Sequence, residues 1–246
     1  MATMVLPGKF APLPIAAIVF DAYGTLLDVH SALARVTAAG GAGLTVERAR
    51  SVSLLWRDKQ LAYTWLRNSM RVHADFAAVT ADALDHAMEA HGLAGDEALR
   101  TALLEAYRRL DPYPEVSDAL AALKAAGLPL AVLSNGTPDM LASGLESAGI
   151  ARHLDAVLSV EAIGLFKPVP EVYALATRHF GVPAPQILFL SANGWDVHGA
   201  STFGCTAIHV DRPAPGRKRA AAERLPGGPA HTIASLAELP ALVRGG

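Results

Sequence analysis

The sequence predicts an α/β protein in which a doubly wound parallel sheet carries an inserted all-helical segment. Three observations predict it. An uninterrupted apolar run, residues 15–20, stops at Asp21, the pattern of a strand buried on both faces. Beyond Pro114, short apolar runs alternate with helical patterns, as in a chain of parallel strands joined by helices. Between the two lie about eighty residues that keep a helical period throughout.

The elements follow in order. Residues 1–13 carry Pro7 and Pro12 and a single basic residue, Lys9. They read as a poorly ordered tail and do not resemble a signal peptide. Strand 15–20 leads into Asp21, and Gly24 then permits a tight turn that brings the Thr25 hydroxyl beside the carboxylate. Helical patterns cover residues 30–39, 45–70, 80–91 and 96–110. The G-G-A-G at residues 40–43 separates the first two; no strand precedes it, so it is not a dinucleotide fingerprint. The D-P-Y-P at residues 111–114 cannot continue a helix and reads as a linker.

Helix 115–126 ends at Gly127, and strand 128–133 leads into Ser134-Asn135-Gly136. Thr137 caps the next helix, with Pro138 at its first position. A short strand follows at 155–159, and Lys167-Pro168 precedes a helix over 170–180. Strand 187–190 leads into S-A-N-G-W-D, residues 191–196, then a short helix and strand 206–210. Residues 211–229 read as a surface loop. A short strand near Thr232 precedes a last helix, where Ser235 and Glu238 fit a capping box. The predicted division is a core of residues 1–29 and 113–246 around a helical cap of residues 30–112.

The bulk composition narrows the function classes. The 246 residues are 52% hydrophobic and 18% charged, enough for a sizeable core. A net charge of −2 gives no electrostatic reason to expect nucleic acid or a membrane surface. No apolar run approaches the ~20 residues of a membrane span. Cys205 is the single cysteine, which excludes an internal disulfide and points to a cytoplasmic setting. The nine histidines show no metal-ligand spacing, and no G-x-S-x-G elbow is present.

Polar residues recur at the ends of the predicted strands: Asp21, then Ser134 and Asn135, then Ser191, Asn193 and Asp196. Ligand crevices in such sheets lie at the carboxyl ends of the strands. Each residue alone also fits a turn or a helix cap; the recurrence at several strand ends favours a site. Lys167, in a loop before a helix, completes the group. In the helical segment Leu54, Arg57, Leu61 and Trp65 share one face, apolar apart from the arginine. A guanidinium on a buried stripe needs an anion or a dense set of acceptors. The alternatives are that Arg57 reaches solvent or pairs with a core carboxylate.

The motifs D-A-Y-G-T-L-L-D-V-H, W-R-D-K-Q-L-A-Y-T-W-L, L-S-N-G, F-K-P followed by V-Y, and S-A-N-G-W-D stand in this order. Together they resemble the L-2-haloacid dehalogenases of the haloacid dehalogenase superfamily, from strand one to about Val210. The resemblance implies a Rossmann-like core, a helical cap, and hydrolysis of small halogenated carboxylates with no cofactor and no metal. It also implies a homodimer. Asp21 is then the nucleophile. Arg57, with Asn135, receives the halide, while Ser134 and Lys167 hold the substrate carboxylate or Asp21 itself. Asp196 helps activate water, and Thr25, Tyr173, Ser191 and Asn193 order the site. Tyr23, Leu61, Phe76 and Trp195 form the apolar wall. Two departures stand out: Asp58 where many relatives have Gln, which bears on the halide end of the pocket, and Ala192 where relatives often have Ser.

Two rivals remain at this level. The superfamily's phosphatases hold Mg²⁺ with the nucleophile, a backbone carbonyl two residues on, and an acid in the last motif. Their general acid stands two residues after the nucleophile, where this chain has Tyr23. S-A-N-G-W-D also replaces their usual G-D-x-x-x-D. The other rival is a catalytically inactive small-anion binder.

Overall fold

The computed structural model describes residues 2–4, 13–40, 44–213 and 221–244. Its centre is a six-stranded parallel sheet. In chain order the strands are β1 (Ala2–Met4), β2 (Leu13–Ile15), β3 (Ala17–Phe20), β4 (Leu130–Ser134), β5 (Ala156–Ser159), β6 (Ile187–Ser191), β7 (Thr206–Val210), β8 (His231–Ile233) and β9 (Val243–Arg244). The large sheet runs β5-β4-β3-β6-β7-β8, with every pairing parallel. Strand β3 sits in the middle, and its neighbours β4 and β6 come later in the chain, so the winding reverses beside it. That reversal opens the crevice in which such sheets hold ligands. All residues of β3, β4 and β6 are buried, which is why they read as continuous apolar runs.

The apolar run 15–20 is not one strand. Leu13–Ile15 pairs antiparallel with Ala2–Met4, which also pairs with β9; the chain bends at Ala16 and only then enters β3. The tail expected over residues 1–13 is therefore corrected at Ala2–Met4, where Met4 is fully buried. The apolar side chains of this segment have a partner face in the C-terminal strand, which local pattern does not reveal. Residues 5–12 lie outside the described part of the chain, as do 41–43 of the glycine stretch and 214–220 of the expected loop.

Four helices follow β3: α1 (Ser31–Ala38), α2 (Val46–Met70), α3 (Phe76–Ala90) and α4 (Glu97–Tyr107). Thr45, Asp75 and Asp96 cap the last three, each accepting from the backbone N–H three residues on. The third helix begins one turn earlier than the predicted residue 80, because Asp75 is its cap and Phe76 begins its buried stripe. The fourth stops at Tyr107, short of the predicted 110. The chain leaves for these helices and returns beside its own exit. Asp28 N donates to Asp111 O at 2.8 Å and Tyr113 N to Leu26 O at 3.1 Å. The remaining helices are α5 (Val116–Ala125), α6 (Pro138–Ser147), α7 (Pro170–Phe180), α8 (Gly194–Phe203) and the short α9 (Leu239–Leu242). The Thr137 cap and the Ser235–Glu238 capping box form as their sequences predict. Among the described residues no helix is long and apolar enough to cross a membrane.

Candidate active site

Asp21 follows β3 directly. Phe20 pairs with Leu190, which sets Asp21 level with Ser191 on β6. Its own N–H donates to Leu190 O at 2.9 Å. The next residues curl back, Leu26 N and Leu27 N both donating to Ala22 O. Gly24 takes φ 90° in this turn, a conformation that strains any residue with a Cβ. The turn carries Thr25 under the carboxylate.

The two oxygens of Asp21 have different surroundings. Oδ2 accepts from Thr25 Oγ1 at 2.8 Å, Asn193 Nδ2 at 2.8 Å and Ser191 Oγ at 3.4 Å. Ala192 N donates to Thr25 Oγ1, so the threonine proton is left for Asp21. Among the described residues Oδ1 accepts a hydrogen bond only from Lys167 Nζ, at 3.1 Å. Oδ1 is the less engaged oxygen, and Oδ2 sits in a cradle of donors.

Lys167 is buried and bridges to a second carboxylate, Asp196 Oδ2, at 2.9 Å. Burial opposes its charge, but Asp196 and Asp21 outweigh that and raise its pKa. The other Asp196 oxygen accepts from Tyr173 OH at 2.7 Å. Burial pushes the Asp196 carboxyl up to about 6; Asp21 adds to the rise while Lys167 works against it. Burial also raises the Tyr173 phenol, with Asp196 contributing, so Tyr173 stays a donor. Gly199 on α8 makes this contact possible, since a Cβ there would stand 2.5 Å from Tyr173 Oη.

Asn135 is buried, and its Oδ1 accepts from Lys167 N at 3.0 Å. Ser134 Oγ accepts from Gly136 N at 3.2 Å, which leaves its proton to be donated. Gly136 packs against Tyr23; a Cβ would meet the ring at 2.7 Å. The Tyr23 ring lies 5.5 Å from Phe76 and 5.6 Å from Tyr107, and burial raises its phenol pKa far above the usual value.

The four helices contribute Arg57. The buried side of α2 is Ala49, Val52, Ser53, Trp56, Gln60 and Thr64. The expectation that Leu54, Arg57, Leu61 and Trp65 form a buried stripe is therefore corrected. Leu54 is 46% and Trp65 37% exposed, and Arg57 and Leu61 are half-buried. Polar residues took part of the packed side because α3 and α4 supply partners for them, and the Leu54–Trp65 face is left toward the end of the sheet, where Arg57 and Trp65 make their contacts. Arg57 leans across onto the sheet end. Its Nη2 donates to Tyr23 O at 3.1 Å and to Asn193 Oδ1 at 3.3 Å, and its Nη1 to Gln60 Oε1 at 2.8 Å. All three acceptors are neutral, so neither alternative drawn from the sequence describes Arg57. Asp58 is exposed. Asn135 is hydrogen-bonded to Lys167, and the asparagine that accepts from Arg57 is Asn193. Trp195 packs edge-on against Trp65 of α2, 5.4 Å between ring centroids.

A family model for haloacid dehalogenase-like hydrolases matches residues 15–204. The chain belongs to that family. It is 40% identical over 94% of its length to (S)-2-haloacid dehalogenase 1 of Pseudomonas sp. (strain CBS-3), 97% of which is covered. It is 45% identical to the (S)-2-haloacid dehalogenase of Xanthobacter autotrophicus over 80% of this chain and 76% of that one. Among solved structures, the L-2-haloacid dehalogenase from Xanthobacter autotrophicus with chloropropionic acid covalently bound superposes with TM-score 0.83. The two share 38% identity over 93% of this chain and 98% of that one.

In this haloacid dehalogenase-like hydrolase, sequence reasoning missed two groups that shape the site. Gln60 is one; an amide in a helical window carries no signal of burial. The other is Asn68, whose Nδ2 donates to Phe166 O at 2.7 Å and whose Oδ1 accepts from Phe166 N at 3.0 Å. It thereby fixes the end of α2 to the residue preceding Lys167.

Proposed function

We propose that this chain hydrolyses small L-2-haloalkanoic acids to D-2-hydroxy acids through an ester on Asp21, with inversion at carbon. The observation that carries the reading is the pair formed by Asp21 and Arg57. A buried carboxylate and a guanidinium whose hydrogen-bond acceptors among the described residues are all neutral are bridged by the single amide of Asn193. Asp21 Oδ1 attacks C2 of the acid, and the carbon–halogen bond breaks with its electron pair going to the halide. Charge grows on the halide during this step, so a fixed cation lowers the barrier most there. The Arg57 guanidinium carries five N–H donors; Gln60, Tyr23 and Asn193 hold it in place, and it receives the halide. The Ser134 hydroxyl and the Lys167 ammonium receive the substrate carboxylate.

Water then attacks Cγ of Asp21 and gives its proton to Asp196. The negative charge on the tetrahedral intermediate collects on Oδ2, where Thr25, Asn193 and Ser191 donate. The bond from Cγ to Oδ1 breaks, and Oδ1 leaves as the product hydroxyl, taking the proton that Asp196 received from water. Residues 30–112 act as a cap that limits water in the first step, over a core of residues 1–29 and 113–246. Exposed Leu54, Leu66 and Met70 on α2, with Val72 beyond it, support a homodimer formed through this helix, and the single cysteine supports a cytoplasmic setting.

The phosphatase reading needs a metal at the carbonyl two residues after the nucleophile. Here Tyr23 O already accepts from Arg57 and from Asn193, and the position of the general acid is a stacked tyrosine. Halide release from L-2-chloropropionate in EDTA tests the proposal. Wild type is expected to turn over and Asp21→Asn to be inactive. Equally slow release from both, or phosphate release from a phosphomonoester that depends on Mg²⁺, overturns it.

A further inference from the structure

We infer that Gln60 is a positioning residue that aims the Arg57 guanidinium at the leaving halide without discharging it; this deepens the dehalogenase reading and rests on it. Gln60 is buried on the packed side of α2. A buried amide is tolerated only when its donors and acceptor are paired. Its partners also decide which way round it sits. Thr80 Oγ1 spends its one proton on Phe76 O at 2.6 Å, so toward Gln60 it can only accept. The Gln60 nitrogen must therefore face Thr80, at 2.7 Å. The oxygen is left to face Arg57 Nη1 at 2.8 Å and Tyr107 OH at 3.1 Å. Three helices thus converge on one amide, whose oxygen holds the guanidinium from behind, while Tyr23 O and Asn193 hold it from the sheet side.

The choice of amide has a chemical consequence. A glutamate in the same place would accept the same bonds but pair with the guanidinium and cancel its charge. An aliphatic residue would keep the charge but take this acceptor away from Arg57 Nη1 and the Tyr107 hydroxyl. The amide alone both orients the cation and leaves it charged. Its effect belongs to carbon–halogen cleavage, where charge reaches the halide, and not to ester hydrolysis, whose charge collects on Asp21 Oδ2.

Gln60→Glu and Gln60→Met test this in single turnovers with L-2-chloropropionate and L-2-bromopropionate. Carbon–halogen cleavage and ester hydrolysis are timed separately. Chloride is the poorer leaving group and depends more on the cation. The Glu variant is expected to lose about 100-fold in chloride cleavage and less in bromide cleavage, and the Met variant about tenfold in chloride cleavage, the range seen when groups that orient a reactive residue are removed. Ester hydrolysis is expected to stay at the wild-type rate in both. Equal losses for the two halides, a matching loss in ester hydrolysis, or wild-type cleavage in Gln60→Glu overturns the inference while leaving dehalogenation intact. A wild-type protein that releases neither halide overturns the parent reading and this role with it.

Discussion

Asp21 and Asp196 are two carboxylates bridged by one ammonium, yet the protein treats them differently. Asp21 Oδ2 lies among donors from the Thr25 turn and from β6. Asp196 is fully enclosed, and burial together with the charge of Asp21 pushes its pKa up to about 6. A base for ester hydrolysis must be ionised, and the esterified Asp21 no longer adds its charge to the rise, so the hydrolysis rate is expected to hold at pH 6 and above and to fall only at a lower pH. The stability linkage has the opposite sign. An unfolded aspartate titrates near ~3.9, so between that pH and about 6 the folded state holds a proton the unfolded state has lost. Protonating Asp196 therefore adds to stability as pH falls through this window, and the loss of rate is not unfolding caused by this group. A single-turnover pH profile of ester hydrolysis checks this; a rate that stays flat over the whole acid range in which the protein remains folded would remove Asp196 as the base.

At the scale of elements, α2 decides how the helical segment meets the sheet. Asn68 ties its end to Phe166 through both backbone atoms, one residue before Lys167. Asn68→Ala removes two bonds, worth about 1 kcal/mol each. For a chain of this size that corresponds to a fall in Tm of roughly 4–8 °C, read by thermal melts. A larger fall in cleavage rate than in stability is expected as well, since the backbone that presents Lys167 loosens. Unchanged Tm and rate would show that the contact carries nothing. The strands and helices of the sheet layer were legible because apolar runs and glycine or proline boundaries mark them locally. The polar residues at the strand ends were legible for the same reason, and the structure brings Asp21, Thr25, Ser134, Lys167, Ser191, Asn193 and Asp196 to one end of the sheet. The α2 stripe was not legible. Periodicity identifies an apolar face, but which face is buried depends on what the neighbouring helices offer, and here Thr80 and Tyr107 make a polar side the better partner. The split of residues 15–20 escaped for a related reason: the partner strand of Leu13–Ile15 lies elsewhere in the chain.

At the scale of the molecule, the chain crosses between sheet and helices at two adjacent places, tied by the bonds of Asp28 with Asp111 and of Leu26 with Tyr113. Near its end α2 exposes Leu66 and Met70, 53% and 61% accessible, apolar surface of the kind that a second copy would cover. Sedimentation is expected to show a dimer for the wild type and a monomer for Leu66→Glu/Met70→Glu. A wild-type monomer would refute the assembly and leave the site untouched. The central claim concerns Asp21, and isotope transfer in one turnover tests it most directly. The enzyme is given less L-2-chloropropionate than active sites, in water enriched in oxygen-18. If the ester forms on Asp21 and water attacks its carbonyl, the product hydroxyl comes from the protein: the first D-lactate is unlabelled and the label appears in the Asp21 carboxylate. Labelled lactate from the first turnover, with Asp21 unlabelled, would mean that water attacks the substrate carbon directly and would contradict the account.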